Sequence, residues 1–466
     1  MLELDKLKKV YVIGIKGSGV IAVVEILQSM GIEITGSDTH EKFFTDEVLQ
    51  RLGIKYIEGF SVGNIPNDAD LILYSSSYNE ENNVEMAEIK KRKLPTISYP
   101  EMVSELFNQK YGIAVCGTHG KTTTSAMLAF VMQQVGISPT AIIGSRVRQW
   151  GSNALIGKNE FFVLEADEFQ NKLKFYEPKA AVLTSLDWDH PDTYPTFAEY
   201  KKAFSDFVAK IPKIGFLAVW GDSIDTSEVA KYCNAEVIKY GFGEDNDVVI
   251  SNKIQMTNDQ IDKLKYQSFD VSYKNENLGN FQIQLIGKHN VLNAVSVIIA
   301  CYKLNLDMEK VREALQNFEG TSRRFEVVGQ RNGAILIDDY GHHPEEIKVT
   351  LKGAREIYPE KNIIAVFHPH SYSRTEALLQ DFAQSFDSVD QVLVLDIYGS
   401  ARENTGAVSS KDLVNLINKY QHNKAEHIPT IDDAVEFLRD KITDNDVVIT
   451  IGAGNVFEVA NKLCEI

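Results

Sequence analysis

Residues 115–128, VCGTHGKTTTSAML, place two glycines, one lysine and three threonines between an apolar run and a helix-like segment. Glycines let backbone N–H groups approach an anion, and the N-terminus of the following helix adds a favourable dipole. Gly117, Thr118, His119, Gly120, Lys121, Thr122 and Thr123 therefore make a candidate phosphate loop. In it Lys121 would neutralise β/γ-phosphate charge and the Thr122 hydroxyl would bind Mg²⁺. The general pattern GxxxxGK[ST] is incomplete: its first glycine falls on Val115, and Gly117 stands only three residues before Gly120. The alternative is an ordinary strand–turn–helix corner with a chance Gly-Lys-Thr, and the secondary context weighs against it.

A phosphate loop alone suits a kinase, a motor or a switch, so the other reactive residues must decide. Glu165 sits just past the run FFVL, where an open parallel sheet presents ligand groups. His190 lies in DWDHPD; hard Mg²⁺ prefers oxygen, so on general grounds this imidazole reads as structural, and Asp189 and Asp192 read equally as turn caps. His289 and Asn290 precede a helix, where polar residues commonly cap. His342, in DDYGHHP, has an imidazole able to accept a proton near working pH. Arg374, in HPHSYSRT, carries the planar fork that fits a carboxylate. Seven of the ten histidines (119, 190, 289, 342, 343, 368 and 370) fall in such motifs, whereas His40, His422 and His427 read as ordinary core or surface residues.

These residues need a scaffold. The first hundred residues alternate strand and helix signals (KKVYVIGI, SGVIAVVEILQSMG, IEITGSD, IKYIEG, ADLILYSSS), which implies a parallel sheet covered by helices. A second α/β region follows from YGIAVC, with strands FFVLEAD, AAVLTSLD and GFLAVWGD and a polar β-meander between about residues 231 and 285. A third begins near GTSRRFEVVG and alternates again through AILIDDYG, IIAVFHPH, QVLVLDIYG and DVVITIGAG. The expected fold is α/β in three domains, 1–107, 108–321 and 322–466. Near the N-terminus GIKGSG and Asp38 resemble a dinucleotide fingerprint, but the spacing is GxxGxG and nothing downstream supplies hydride chemistry.

Composition narrows the class. With 466 residues, 44% hydrophobic and 24% charged, the chain is an ordinary soluble type. A formal charge of −17 argues against nucleic acid as a partner. No apolar run approaches a membrane span, the start lacks a signal peptide's apolar core, and four scattered cysteines fit a reducing compartment. The expectation is a cytoplasmic enzyme, monomer or homodimer, acting on small molecules.

GTHGKTT is the form of the loop carried by the Mur ligase superfamily, ATP-dependent enzymes that build the peptide of peptidoglycan. EADE (165–168), DWDHPD (187–192), GKHNVLNA (287–294), SRRFE (322–326), DDYGHHP (338–344), HPHSYSRT (368–375) and GAGNV (452–456) match in the same order. The last motifs resemble the branch that adds L-alanine to UDP-N-acetylmuramate. The resemblance implies ATP and Mg²⁺, a Rossmann-like UDP-sugar domain, a central P-loop ATPase domain and a Rossmann-like amino-acid domain. It implies metal ligation by Thr122, Glu165 and His190, and an adenine neighbourhood at Asn290 and Asn293. Arg324 would reach the phosphates, and Asp339 would contact ribose or help fix domain closure. Tyr340, His342 and Arg374 would surround the amino acid, with Lys121, Glu165, His190, His342 and Arg324 closest to the chemistry. Gly17, Ser18 and Gly19 would meet the UDP diphosphate, with Asp38, Ser75 and Ser76 lining that crevice. Such an enzyme phosphorylates the lactyl carboxylate with ATP, and the amine then attacks the acyl phosphate. Charge neutralisation and positioning carry such a step.

Some residues depart from the family pattern. Lys16 stands where glycine is usual and would either add charge for the diphosphate or point to solvent. FQNKLKFYEP follows EADE, and 144–155 (GSRVRQWGSNAL) has little detailed similarity where the family contacts the muramoyl sugar. Glycine, L-serine or a recycled peptide therefore stay open as alternatives to L-alanine, since one methyl or hydroxyl discriminates modestly. A P-loop ATPase without ligase activity is the competing class.

Overall fold

The computed structural model describes residues 2–41, 43–191, 193–251, 255–258, 265–399, 408–421 and 424–465. Asp192 and His422 lie outside the described residues. The chain forms two compact units. One holds Met1–Trp188 and Phe197–Gly320, the other Asp189–Thr196 and Thr321–Ile466. The short stretch from Asp189 is thus donated to the second unit from within the sequence of the first.

The first unit contains two sheets. The N-terminal one is parallel throughout, in the order Tyr56–Glu58, Glu33–Asp38, Lys9–Ile13, Leu71–Tyr74, Thr96–Ser98. Its central strands are buried almost end to end, which is why they read as unbroken apolar runs. Helix Ser18–Ser29 is buried from Val20 to Leu27 because it packs on two further strands, Thr140–Val147 and Ser152–Leu155, as well as on its own sheet. That hairpin is the unusual 144–155 segment. Asn153, fully buried, donates to Ser18 O and Ile143 O, and Ser152 donates to Glu25.

The second sheet has eleven strands, with Tyr111–Cys116 between Ala180–Leu183 and Phe161–Glu165, all parallel. Helices Lys121–Gln134 and Lys288–Lys303 pack on each other over a core that includes Ile113, Val115, Val163 and Val182. The expected meander differs in one respect. Glu236–Gly241 belongs to the parallel part, Val248–Ile250 pairs parallel with it and antiparallel with Lys265–Tyr273, and Gln255–Asn258 and Glu276–Ile283 continue the antiparallel extension.

The second unit is a six-stranded sheet in the order Glu326–Arg331, Ala334–Asp339, Asp446–Ile451, Asn362–Phe367, Gln391–Val394, Ala425–His427. Only the first strand is antiparallel. Apolar clusters cover both faces, so the strand ends are where polar chemistry can be placed.

Lys16 takes neither of its two expected roles. Its side chain is fully buried and its ammonium donates to Thr39 O and Glu41 O, each at 2.9 Å, with Asp46 at 3.2 Å and Glu58 at 3.5 Å. The fifth neighbour is the Tyr56 ring, at 4.9 Å. The ammonium therefore stitches the loop after Asp38 to the helix Phe44–Leu52. Lys16→Met should cost about 2 kcal/mol of unfolding free energy in a denaturant titration, because it removes the buried ammonium from its part-buried acceptors. A loss below about 0.5 kcal/mol, the level of ordinary surface substitutions, would show the tie to be idle.

Candidate functional site

The loop Gly117–Gly120 connects the central strand to helix Lys121–Gln134, and both glycines are required by geometry. Gly117 has φ 127° and Gly120 φ 81°, and a Cβ at Gly120 would lie 2.6 Å from Asn293 Oδ1. A Cβ at Gly117 would collide with Thr184 Oγ1. Thr118 N–H donates to Ser185 O and His119 N–H to Ser185 Oγ, which pin the loop to the neighbouring strand end. The first intrahelical bond runs from Thr124 N to Gly120 O. The N–H groups of Lys121, Thr122 and Thr123 therefore have no partner within the helix and form an anion-binding end.

Lys121 lies inside this turn. Its ammonium donates to Gly117 O at 2.5 Å and Thr118 O at 3.1 Å and pairs with Glu168 at 2.9 Å. Burial works against the charge, but Glu168, with Asp167 and Glu165, outweighs it and raises the lysine above its usual range. Glu168 is completely buried and also accepts the Tyr200 hydroxyl at 2.9 Å. That hydroxyl lies 2.8 Å from Thr118 Oγ1, which donates to Asp187 O. His119 Nε2 lies 3.2 Å from Asp187.

Thr122 donates its hydroxyl to Glu165 Oε1 at 2.7 Å, and Gly144 N–H donates to the other oxygen. Glu165 reaches this place because its strand pairs in register with the central one, opposite Val115. A hydroxyl beside a carboxylate at an anion-binding loop is a hard-oxygen set that fits Mg²⁺. Among the described residues no group of three or more His, Cys, Asp or Glu side chains could hold an ion alone. Asn293 stands against Gly120 and donates to Asn290 Oδ1, whose amide in turn donates to Ile286 O.

At the N-terminal sheet the glycine turn leads into helix Ser18–Ser29. Asp38 accepts Lys16 N–H at 2.6 Å and Thr39 N–H at 2.7 Å, so its carboxylate organises the turn; burial raises its pKa. A Cβ at Gly14 would meet Tyr78 and Ser75, and one at Gly19 the Tyr99 hydroxyl. Ser75 and Ser76 follow the strand Leu71–Tyr74, with Ser75 N–H bonded to Ile13 O. Gly17, Ser18, Gly19, Asp38 and Ser75 thus share the carboxyl end of the sheet's inner strands.

In the second unit DDYGHHP, HPHSYSRT and GAGN leave adjacent parallel strands at the same end. Asp339 accepts Phe325 N–H and Gly341 N–H, each at 2.8 Å, and burial raises it to about 6. Arg323 donates to Asp338 and Gly452 O and lies between the Tyr340 and Phe457 rings. Its neighbour Arg324 has 28% of its side chain exposed, over Tyr340, with Glu346 at 3.7 Å. His343 caps helix Pro344–Ile357, while His342 packs against Tyr340 and His370. Burial and Arg374 lower His342 to about 3, and burial and His370 lower His368 to about 4. Asp189 and His190 belong to this unit. His190 has φ 56°, a left-handed backbone unusual for a residue with a side chain, and Asp189 pairs with Arg374 at 3.1 Å.

Profiles of the Mur ligase family cover most of this architecture. The family's catalytic domain matches residues 9–111, its middle domain 115–301 and its glutamate ligase domain 323–454. A UDP-N-acetylmuramate–L-alanine ligase of Desulfitobacterium hafniense (strain Y51) is 39% identical over 97% of this chain and 99% of its own length. One from Caldanaerobacter subterraneus subsp. tengcongensis is 38% identical over 100% of this chain and 99% of its own. The chain belongs to the Mur ligase family. Two solved structures share the fold. The UDP-N-acetylmuramate-alanine ligase of Thermotoga maritima has a TM-score of 0.82 at 24% identity, covering 98% of both chains. A murein peptide ligase of Psychrobacter arcticus has a TM-score of 0.74 at 23% identity, also over 98% of both.

Set in this Mur ligase, three residues went unassigned in the sequence. Glu168, the last residue of EADE, is the counter-charge of Lys121, and its place three residues beyond Glu165 was the available signal. Tyr78 covers Gly14 with no motif around it. Tyr398 stacks on His370 and lies edge-on to His368, contacts made from a strand end without local signature.

His342 and His368 stay neutral in the fold, while unfolded histidine titrates near 6.5. As pH falls from about 6.5 towards 4 the unfolded chain gains protons that these two sites refuse, so stability is full above that range and drops through it, by about 1.4 kcal/mol per pH unit per site. His368→Gln should flatten this acid slope in denaturant titrations run from pH 7 to 4.5. An unchanged slope would mean that the imidazole is not held neutral.

Proposed function

We propose that this chain joins L-alanine to the lactyl carboxylate of UDP-N-acetylmuramate, with ATP converted to ADP and phosphate through an acyl phosphate. The observation that carries this reading is the anion-binding loop, with Lys121 inside the turn and Thr122 on Glu165. L-alanine as the acceptor is supported by the shared identity with relatives named for that amino acid.

On this reading the free N–H groups of Lys121, Thr122 and Thr123 receive the β/γ-phosphates, with the Lys121 ammonium beside them. Bound Mg²⁺ would supply charge neutralisation on the phosphoryl group, held by Thr122 and Glu165; His190 is the candidate for a second Mg²⁺. Asn290 and Asn293 border the loop where the adenine end of the nucleotide would run. Arg324, over Tyr340 with Glu346 at 3.7 Å, is the guanidinium suited to a phosphate. His342, lowered to about 3, is too weak a base for the proton transfer expected from its sequence and serves as a neutral hydrogen-bond partner beside the amino acid, while Arg374 receives the α-carboxylate. Asp339 acts by holding the backbone around Arg324 and Tyr340. Residues 1–107 take the UDP-sugar at the glycine turn, 108–321 the ATP and 322–466 the amino acid. The enzyme works on small molecules in the cytoplasm, as a monomer or homodimer.

Phosphate release from ATP should require both UDP-N-acetylmuramate and an amino acid, with L-alanine giving the highest kcat/KM in a panel that includes glycine, L-serine and a tripeptide. Release without an acceptor would identify a plain ATPase, and a better substrate in the panel would reassign the acceptor. Lys121→Ala should abolish release, and Glu168→Gln should lower kcat by about 10²-fold, the usual effect of removing one preorganised electrostatic partner. Wild-type rates in either variant would refute the loop's role.

A further inference from the structure

Arg374 sits in the short helix Tyr372–Ala377, its backbone N–H bonded to Ser371 Oγ. Its side chain is 9% exposed, and Nε and Nη2 both donate to a single oxygen, Asp189 Oδ1, at 3.3 and 3.1 Å. That oxygen also accepts His190 N–H at 2.7 Å. A guanidinium meets a carboxylate best through two parallel bonds to two oxygens at about 2.7–2.9 Å. Asp189 offers one oxygen, already shared, at longer range. It occupies the place of a carboxylate ligand without filling it well.

Asp189 reaches this place as a guest. It comes from the segment Asp189–Thr196, which enters the second unit from within the sequence of the first, and the residue after it has left-handed φ. His342 and His370 pack on one another close by in the same unit, and His342 feels the charge of both Arg374 and Asp189. A buried arginine beside histidines, matched by a replaceable carboxylate, is a carboxylate site carrying its own occupant.

We propose that Asp189 is a resident competitor for the amino-acid substrate. The incoming α-carboxylate displaces it from Arg374 and takes both guanidinium edges in its place. This rests on the reading of Arg374 as the carboxylate holder. The pair keeps the guanidinium neutralised between turnovers, and the apparent affinity for the amino acid is scaled down to the fraction of time that Arg374 is free. An amino acid amide lacks the charge to displace Asp189.

Asp189→Asn tests this in the full chain with UDP-N-acetylmuramate, ATP and Mg²⁺, since the amide oxygen can still accept His190 N–H. KM for L-alanine should fall about tenfold, as when a site engaged nine parts in ten is released, and kcat should not rise with it. An unchanged or raised KM in folded Asp189→Asn overturns the proposal. Arg374→Gln separates the two ideas. A raised KM there with no fall in Asp189→Asn leaves the Arg374 reading standing and removes the competitor, whereas an unchanged KM in Arg374→Gln removes the reading itself. Because an unpaired buried arginine weighs on folding, a crystal of the wild-type enzyme soaked with L-alanine gives a second measurement. The α-carboxylate on Arg374 with Asp189 swung away supports the exchange. L-alanine bound with the Arg374–Asp189 contact intact overturns it.

Discussion

A buried ammonium inside the phosphate loop is the constraint on which the first unit turns. Lys121 cannot sit there without compensation, because burial penalises its charge. Glu168 provides the opposite charge from a completely buried position, and Tyr200 satisfies one of its oxygens. Tyr200 in turn meets Thr118, and Thr118 binds the backbone at Asp187. One ion pair thereby ties the loop, the ends of two neighbouring strands and a helix into a single polar network. The helix-start amides of Lys121, Thr122 and Thr123 stay open to an anion because this network, with the Thr118 and His119 amides on Ser185, holds the loop in shape.

The same device recurs at the other strand ends. A carboxylate at or just beyond the last residue of a parallel strand accepts backbone N–H groups from the loops around it. Glu165 takes Gly144 N–H, Asp38 takes those of Lys16 and Thr39, and Asp339 takes those of Phe325 and Gly341. Parallel strands align their carboxyl ends, so loops with unpaired amides crowd there, and a short acidic side chain is the nearest acceptor. Two of these three carboxylates, Asp38 and Asp339, are buried deeply enough for their pKa to rise. They hold the site in shape rather than serving as free reagents.

The second unit concentrates a different chemistry. Three imidazoles, His342, His368 and His370, gather with Tyr340, Tyr398 and the buried Arg374 at one end of its sheet, and low exposure keeps His342 and His368 neutral. A ring pushed down to about 3 is a weak base, so burial makes His342 a neutral hydrogen-bonding group rather than a proton acceptor. In the same surroundings Asp189 supplies the counter-charge of the Arg374 guanidinium, at 3.1 Å.

The sequence alone determined the elements that depend on local pattern. Unbroken apolar runs such as KVYVI and DVVITI marked buried parallel strands, and strand–glycine–helix spacing marked the phosphate loop with Lys121 and Thr122. Glu165 followed from its place just beyond a strand. What stayed hidden depended on long-range packing. Thr96–Ser98 and Ala425–His427 are three-residue edge strands with no apolar run to announce them. The hairpin Thr140–Val147 with Ser152–Leu155 makes sense only against helix Ser18–Ser29. Lys16 read as a charge for substrate or solvent, yet its partners lie 23 to 42 residues away and take it inside. Asp189 and Arg374 are 185 residues apart, and Lys121 and Glu168 are 47 apart. Periodicity reports which face of an element is apolar, but a buried charge is decided by whichever opposite charge the fold brings to it, and only the tertiary structure makes that choice.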